Sequence, residues 1–220
     1  MGCWTTAYSR KFYEDNGFFL KKGGLEICRK GDDARWEELK RKVGSGKAFG
    51  TNVRLISASE TKEKFPLIDE DSIMGSMWDP DAGLVIPRSQ DVVSFAVEKA
   101  KEQGALKTFT DTPAIDFEIE DGRVVGVKTD KGIIKSDKVV IASGIWGPLM
   151  GKKAGVPVPL MPLEHPLLFF GPLPEAQGSQ EFLVYPLMRD QGNSAYVRED
   201  RKSTRLNSSH VRTSRMPSSA

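Results

Sequence analysis

The stretch K-V-V-I-A-S-G-I-W-G-P-L-M-G-K-K-A-G, residues 138–155, decides how the rest of the chain is read. Val139, Val140, Ile141 and Ala142 form a short apolar, largely β-branched run. That predicts a strand buried on both faces, as in a parallel sheet. Ser143 and Gly144 break the run, and Gly144, lacking a Cβ, lets a flat ligand approach the backbone. Residues 146–153 read as a helix with Pro148 in its first turn. Strand, small-residue turn and helix, in that order, are the layout in which α/β sheets bind ligands at the carboxyl ends of their strands. The same layout also serves as plain scaffold, so the stretch alone marks a place and not a ligand.

Working outward, a β-meander precedes it. Residues 114–120 and 124–129 alternate around Asp121-Gly122, a strong hairpin signal, and residues 133–135 follow a second turn near Asp130. Residues 106–109 are expected as a strand beside 139–142. Ser89 is expected to cap an amphipathic helix over 90–103, with Val93, Ala96, Val97 and Ala100 as its apolar stripe and Gly104 as its stop. Toward the start, the sequence predicts a helix over 8–15 and a strand over 25–28. A helix capped by Asp32 or Asp33 follows, running to about residue 49, then a strand over 53–56, a helix from Ser59 and a strand over 73–78. After Gly155 the chain turns proline-rich, and strands are expected over 163–170, 182–187 and 194–198. The fold class that results is an α/β (α+β) mixture: part of a mostly parallel sheet with its meander, interleaved with an antiparallel sheet. Residues 1–83 bridge the two, 84–155 belong to the first and 156–199 to the second.

Residues 200–220 change character. Six Ser, two Thr and five Arg or Lys with one Asp, without apolar periodicity, predict a disordered tail. D-R-K-S-T-R-L-N-S-S-H followed by S-R-M-P-S-S-A resembles the in-frame translation of a short-read sequencing adapter, two blocks in the right order, so the tail is expected to be artefactual. Without its five positive charges and one negative, the formal charge of +2 becomes −2, which removes any case for a nucleic-acid partner. His165 is then the one histidine left. No apolar run reaches the roughly 18 residues a membrane span needs. Cys3 and Cys28 lack metal-ligand spacing, and no metal site is expected. A reducing compartment follows as the default, with the cytoplasm first and the mitochondrial matrix as the alternative.

R-W-E-E-L-K-R at 35–41, A-F-G at 48–50, E-K-F-P at 63–66, E-D-G-R-V-V-G-V-K-T-D-K-G at 120–132, A-S-G-I-W at 142–146, P-L-E-H at 162–165 and Y-V-R-E at 196–199 occur in a telling order. In that order and rough spacing they resemble the FAD-dependent amine oxidoreductases of the D-amino-acid-oxidase superfamily, most of all the dimethylglycine and sarcosine dehydrogenase group. Two departures stand out. The G-x-G-x-x-G turn with which that family binds the dinucleotide is absent, and the sequence stops where the family continues into further strands. Both lead to the expectation of a fragment.

The resemblance implies FAD as cofactor, with tetrahydrofolate as a further one in a full-length protein, and a small-molecule amine as substrate. It implies hydride transfer from an N-methyl carbon to the flavin. Ser143, Gly144, Ile145 and Trp146 match the family's second flavin-contacting segment, and Ala114 matches a position that meets adenine through its backbone. His165 and Tyr196 match residues near the bound amine, in catalytic and substrate-binding roles. Arg198, two residues from Tyr196 and so on the same strand face, can meet a substrate carboxylate. For each residue a plainer role stands beside this one: a core aromatic for Trp146, a satisfied core histidine for His165, an ordinary strand tyrosine for Tyr196. An oxidase of another amine or amino acid, or a non-catalytic regulatory relative, are the alternative readings of the whole. The electron acceptor is left open.

Overall fold

The computed structural model describes residues 2–164, 168–170, 183–199 and 206–208. These divide into two units: the described residues of Met1–Ala96 and His165–Arg212, and those of Val97–Glu164.

The first unit is built on a seven-stranded sheet. Its strands are β2 (Gly24–Arg29), β3 (Arg54–Ser57), β4 (Ile73–Asp79), β9 (Leu168–Phe170), β10 (Leu187–Asp190), β11 (Ala195–Glu199) and β12 (Leu206–Ser208), in the order β3-β4-β2-β10-β11-β12-β9. All neighbours pair antiparallel except β2 and β10, which run parallel with Leu25 beside Met188 and Glu26 beside Arg189. Alternation then sorts the side chains. Leu25, Ile27 and Ile56 point to one face and pack with Phe65, Ile68 and Ile73, with Trp78, Met188 and Val197 against them. The opposite face of β2 and β4 is covered by α2 (Asp33–Ala48), which buries Arg35, Leu39, Val43 and Gly46. The spacing of Trp36, Leu39, Lys40 and Val43 predicts the inward stripe: Leu39 and Val43 are buried, Trp36 is half-buried with its ring beside Gly75, and Lys40 is exposed. The helix is rotated so that Arg35 lies inward, where Glu26 of the sheet pairs with it at 3.0 Å.

Caps explain where these helices begin. Asp32 accepts a hydrogen bond from the Arg35 backbone N–H at 3.0 Å, as expected of it. α3 (Ala58–Lys64) is capped by Ser57 in a reciprocal capping box with Glu60, two residues before the expected Ser59 start. α1 (Gly2–Asp15) extends the expected first helix toward the N-terminus, and the small ribbon of β1 (Phe19–Lys21) and β5 (Gly83–Val85) closes behind it. α4 (Ser89–Glu102) begins at Ser89, one residue before the expected start. None of its residues is buried, Val93 being 62% exposed, so the apolar stripe does not pack as expected. No helix among the described residues is long and apolar enough to cross a membrane.

The second unit carries the expected meander, β6 (Ala114–Glu120), β7 (Arg123–Thr129) and β8 (Gly132–Lys135), turning at Asp121-Gly122 with both residues at positive φ. A 3-10 turn, Gly144–Trp146, leads into α5 (Gly147–Lys153), which lies against β6. Gly147 and Gly151 are the buried residues of α5, and a Cβ at Gly151 would stand 2.5 Å from Val158 Cγ2, so glycine lets the 156–160 stretch close on the helix.

Three expectations are corrected. Residues 139–142 form no strand, and Val140 is 88% exposed; nor do residues 106–109. A strand exists through its ladder, and among the described residues no strand lies beside either run. The strand expected over 182–187 forms instead at Leu187–Asp190, with residues 183–186 outside it. The predicted structureless tail contains β12, whose backbone pairs with β11 and β9. Ladder hydrogen bonds are made by backbone groups, so an open edge beside β11 can recruit three residues of almost any sequence.

Candidate functional site

The flavin-like segment lies in the second unit, where chain geometry singles out two residues. Ser143 ends the irregular stretch, and its carbonyl accepts the Trp146 N–H at 3.2 Å, closing the 3-10 turn. Its side-chain Oγ is buried and has no hydrogen-bond partner among the described residues. A buried hydroxyl without a partner costs on the order of 1–3 kcal/mol, so it marks a place that a ligand can complete. Gly144 follows at φ +58°, and nothing stands within 4 Å of where its Cβ would be. Left-handed backbone with open space in front is the surface a planar group needs. Ile145 is half-buried and Trp146 is 43% exposed. The segment thus leaves an unpartnered Ser143 hydroxyl, an open Gly144 backbone and a part-exposed Trp146 ring. Ala114 opens β6 exposed, paired to Thr129 only through backbone, with α5 lying against the same strand.

The amine-like residues belong to the first unit. Tyr196 lies on β11 directly opposite Arg189 of β10, and Arg198 follows on the same side, while Val197 between them faces the core. The expected sharing of a face by Tyr196 and Arg198 is observed. Burial raises the Tyr196 phenol above its ordinary pKa, against the opposing pull of Arg198 and Arg189. Arg198 Nε is buried and has no hydrogen-bond partner among the described residues. His165 lies outside the described residues. One end of the hairpin is tied by Glu199, which is buried and accepts from the Val184 and Tyr185 N–H groups, the latter at 2.9 Å. Its other end is tied by Asp190, which accepts from Arg29 Nε and from Asn193 Nδ2, each at 2.8 Å. Burial pushes the Asp190 carboxyl up, but those hydrogen bonds win and hold it below the usual carboxylate range.

Sequence reasoning missed Arg189, assigning it to the turn between the last two strands. The turn is the four residues Gln191–Ser194, which pairs Asp190 with Ala195 and so brings Arg189 into register with Tyr196. Among the described residues no group of acidic, histidine or cysteine side chains could hold a metal ion.

Residues 3–218 match the family described as DAO, FAD dependent oxidoreductase. The chain belongs to this family. Human mitochondrial sarcosine dehydrogenase is 30% identical over 203 residues, covering 86% of this chain and 20% of that protein. Mouse mitochondrial dimethylglycine dehydrogenase is 26% identical over 183 residues, covering 83% of this chain and 20% of its own length. Among solved structures, L-proline dehydrogenase from P. horikoshii superposes with a TM-score of 0.73 at 30% identity, over 90% of this chain and 51% of that one. The chain thus spans about one fifth of these curated DAO-family relatives and half of the solved one. The mixed α/β architecture is that of the DAO fold.

Proposed function

We propose that this chain supplies flavin and amine contacts to an FAD-dependent oxidoreductase that oxidises an N-methyl amino acid of the sarcosine or dimethylglycine type. The observation that carries an amino-acid substrate is the Tyr196 face, one half-buried, proton-retaining phenol with an arginine across the ladder and another two residues along, while the N-methyl choice follows the likeness to sarcosine and dimethylglycine dehydrogenases. An N-methyl amino acid offers a carboxylate and an amine a few bonds apart. Arg198, with a buried Nε to spare, would hold the carboxylate by a charge-assisted hydrogen bond, and Arg189 would add attraction from the neighbouring strand. Tyr196 stays protonated at neutral pH and would donate its O–H toward the free-base amine, orienting it. His165 is proposed beside it, in the same role.

FAD, when bound, supplies the electron sink for oxidation of the C–N bond. The chain's part in holding it is assigned to Ser143 Oγ as a donor, to the open Gly144 backbone and to Trp146, with Ala114 as a backbone contact. The test is anaerobic titration of the flavin-loaded protein, extended to the length of its relatives, with sarcosine, dimethylglycine, glycine and proline. Bleaching of the flavin by the N-methyl compounds at rates well above glycine and proline is expected. Equal or faster bleaching by proline or glycine would overturn the N-methyl assignment and favour an oxidoreductase of another amino acid.

A further inference from the structure

We propose, building on the amine reading of the Tyr196 face, that Arg189 sets specificity there by taking a second carboxylate, so that the favoured N-methyl amino acid is a dicarboxylate. Register places the residue. Arg189 of β10 stands directly opposite Tyr196 of β11, and Arg198 lies two residues along β11 on the same face. Diagonal neighbours of this kind are about 7–8 Å apart at the backbone, a gap that side chains as long as arginine span. Burial raises the Tyr196 pKa, and Arg198 and Arg189 both oppose it, so both charges lie close to the phenol. Tyr196 and Arg198 are half-buried whereas Arg189 is exposed, so of the three it is the most open to a group arriving from solvent.

The charges around this face fall into two sets. Glu26 of β2, in register beside Arg189, is buried, and its Oε1 stands 3.0 Å from Arg35 Nη2 and 2.7 Å from Lys42 Nζ. Glu38 meets Arg35 Nη1 and lies 3.2 Å from Lys42 Nζ. Two carboxylates and two cations thus balance one another. The acidic neighbours along the two strands are engaged as well: Asp190 by Arg29 and Asn193, and Glu199 by the backbone of Val184 and Tyr185. Arg189 and Arg198 stand outside these sets, and among the described residues neither has an ion-pair or hydrogen-bond partner. The face therefore carries two positive charges without a fixed counter-charge. Bound with its amine as the free base, a monocarboxylate is a monoanion and meets one of them. A dicarboxylate is a dianion and meets both. Guanidinium groups suit the task, because each presents a planar fork of donors that matches a carboxylate.

Dimethylglycine and N-methyliminodiacetate are the probes, since they differ only in a carboxylate carried on one methyl group. Each is mixed anaerobically with the flavin-loaded protein, extended to the length of its relatives, at constant ionic strength. The concentration dependence of flavin reduction gives an apparent Kd for each. Where a compound binds without reacting, its Kd is read from inhibition of reduction by sarcosine. Wild type should bind N-methyliminodiacetate more tightly by about fivefold, the upper end for one ion pair that solvent reaches. Arg189→Gln, at an exposed position that leaves the core alone, should bring the ratio of the two Kd values to one or below. Arg189→Lys, which keeps the charge and loses the fork, should retain part of the preference. A structural role for Arg189 would weaken both compounds alike and leave the ratio where it was. Equal or weaker binding of the dicarboxylate by wild type, or an unchanged ratio in Arg189→Gln, would overturn the assignment. Reduction by dimethylglycine or sarcosine with no advantage for the dicarboxylate overturns the role of Arg189 alone. Reduction by none of the three compounds overturns the amine reading together with it.

Discussion

Ser143→Ala separates a hydroxyl kept for a ligand from one kept for the fold. Ser143 Oγ is buried and has no hydrogen-bond partner among the described residues. Removing it deletes an unsatisfied polar atom at little change in shape. The penalty relieved is on the order of 1–3 kcal/mol, and about 1 kcal/mol of it should appear as added stability after allowing for water reaching the half-buried residue. With flavin bound the sign reverses. The hydroxyl then has a partner, and an ordinary net hydrogen bond is worth about 0.5–1.5 kcal/mol. Flavin affinity should fall by roughly twofold to tenfold, as 1.4 kcal/mol is a factor of ten. Two measurements suffice: urea denaturation of the flavin-free chain, and fluorescence titration with FAD of the protein extended to the length of its relatives. A variant that is less stable without flavin, and binds FAD as well as the wild type, would show that the hydroxyl is structural and that the segment does not contact the cofactor.

The remaining expectations are shorter. Gly75→Ala should cost about 1–3 kcal/mol in denaturation, because φ is +154° and the new Cβ would stand 2.4 Å from the Ile56 carbonyl oxygen; a change below a few tenths would refute the close approach. Asp190 has a depressed pKa in the folded chain, so the stability it adds is present above the unfolded value of about 3.9 and is lost as pH falls through the lower folded value. Asp190→Asn should therefore flatten the acid limb of a stability–pH curve below about pH 4, and an unchanged limb would contradict the assignment. We propose that the chain as given does not retain FAD at stoichiometric occupancy, since no G-x-G-x-x-G turn occurs in it; purified protein with a full flavin spectrum would refute this. Truncation after Glu199 removes β12 and should lower stability by no more than about 1 kcal/mol, as expected if residues 200–220 are foreign to the fold; a larger loss would make the tail part of it.

Local signals were read well where local chemistry decides the structure. Asp32 capped its helix, Asp121-Gly122 turned the meander, and the alternation of Leu25 and Ile27 gave a strand with one face in the core. Failures came where a partner decides. Residues 139–142 have every local mark of a buried strand, yet a strand also needs neighbours, and sequence composition does not report them. The inward turn of Arg35 escaped for a related reason: an arginine counts as a surface residue until Glu26, nine residues earlier on β2, turns out to be its buried counter-ion. In the candidate site the residue types were legible, and the facing of Tyr196 and Arg198 followed from alternation. Arg189 was missed because turn length, and not composition, places it opposite Tyr196. The orphaned Ser143 and Arg198 atoms could be seen only once side chains were packed.

The central claim is that this chain holds amine and flavin contacts of an N-methyl amino acid oxidoreductase. It is tested most directly by single-turnover flavin reduction with dimethylglycine and sarcosine under anaerobic conditions. The protein, extended to the length of its relatives, would be compared as wild type, His165→Ala, Tyr196→Phe and Arg198→Gln. The account predicts reduction by at least one of the two substrates. Loss of a positioning hydrogen bond should slow it by about tenfold or more in His165→Ala and Tyr196→Phe, and Arg198→Gln should act mainly by weakening substrate binding. A flavin-loaded wild type that neither substrate reduces, or variants that all reduce their flavin at the wild-type rate and affinity, would contradict it.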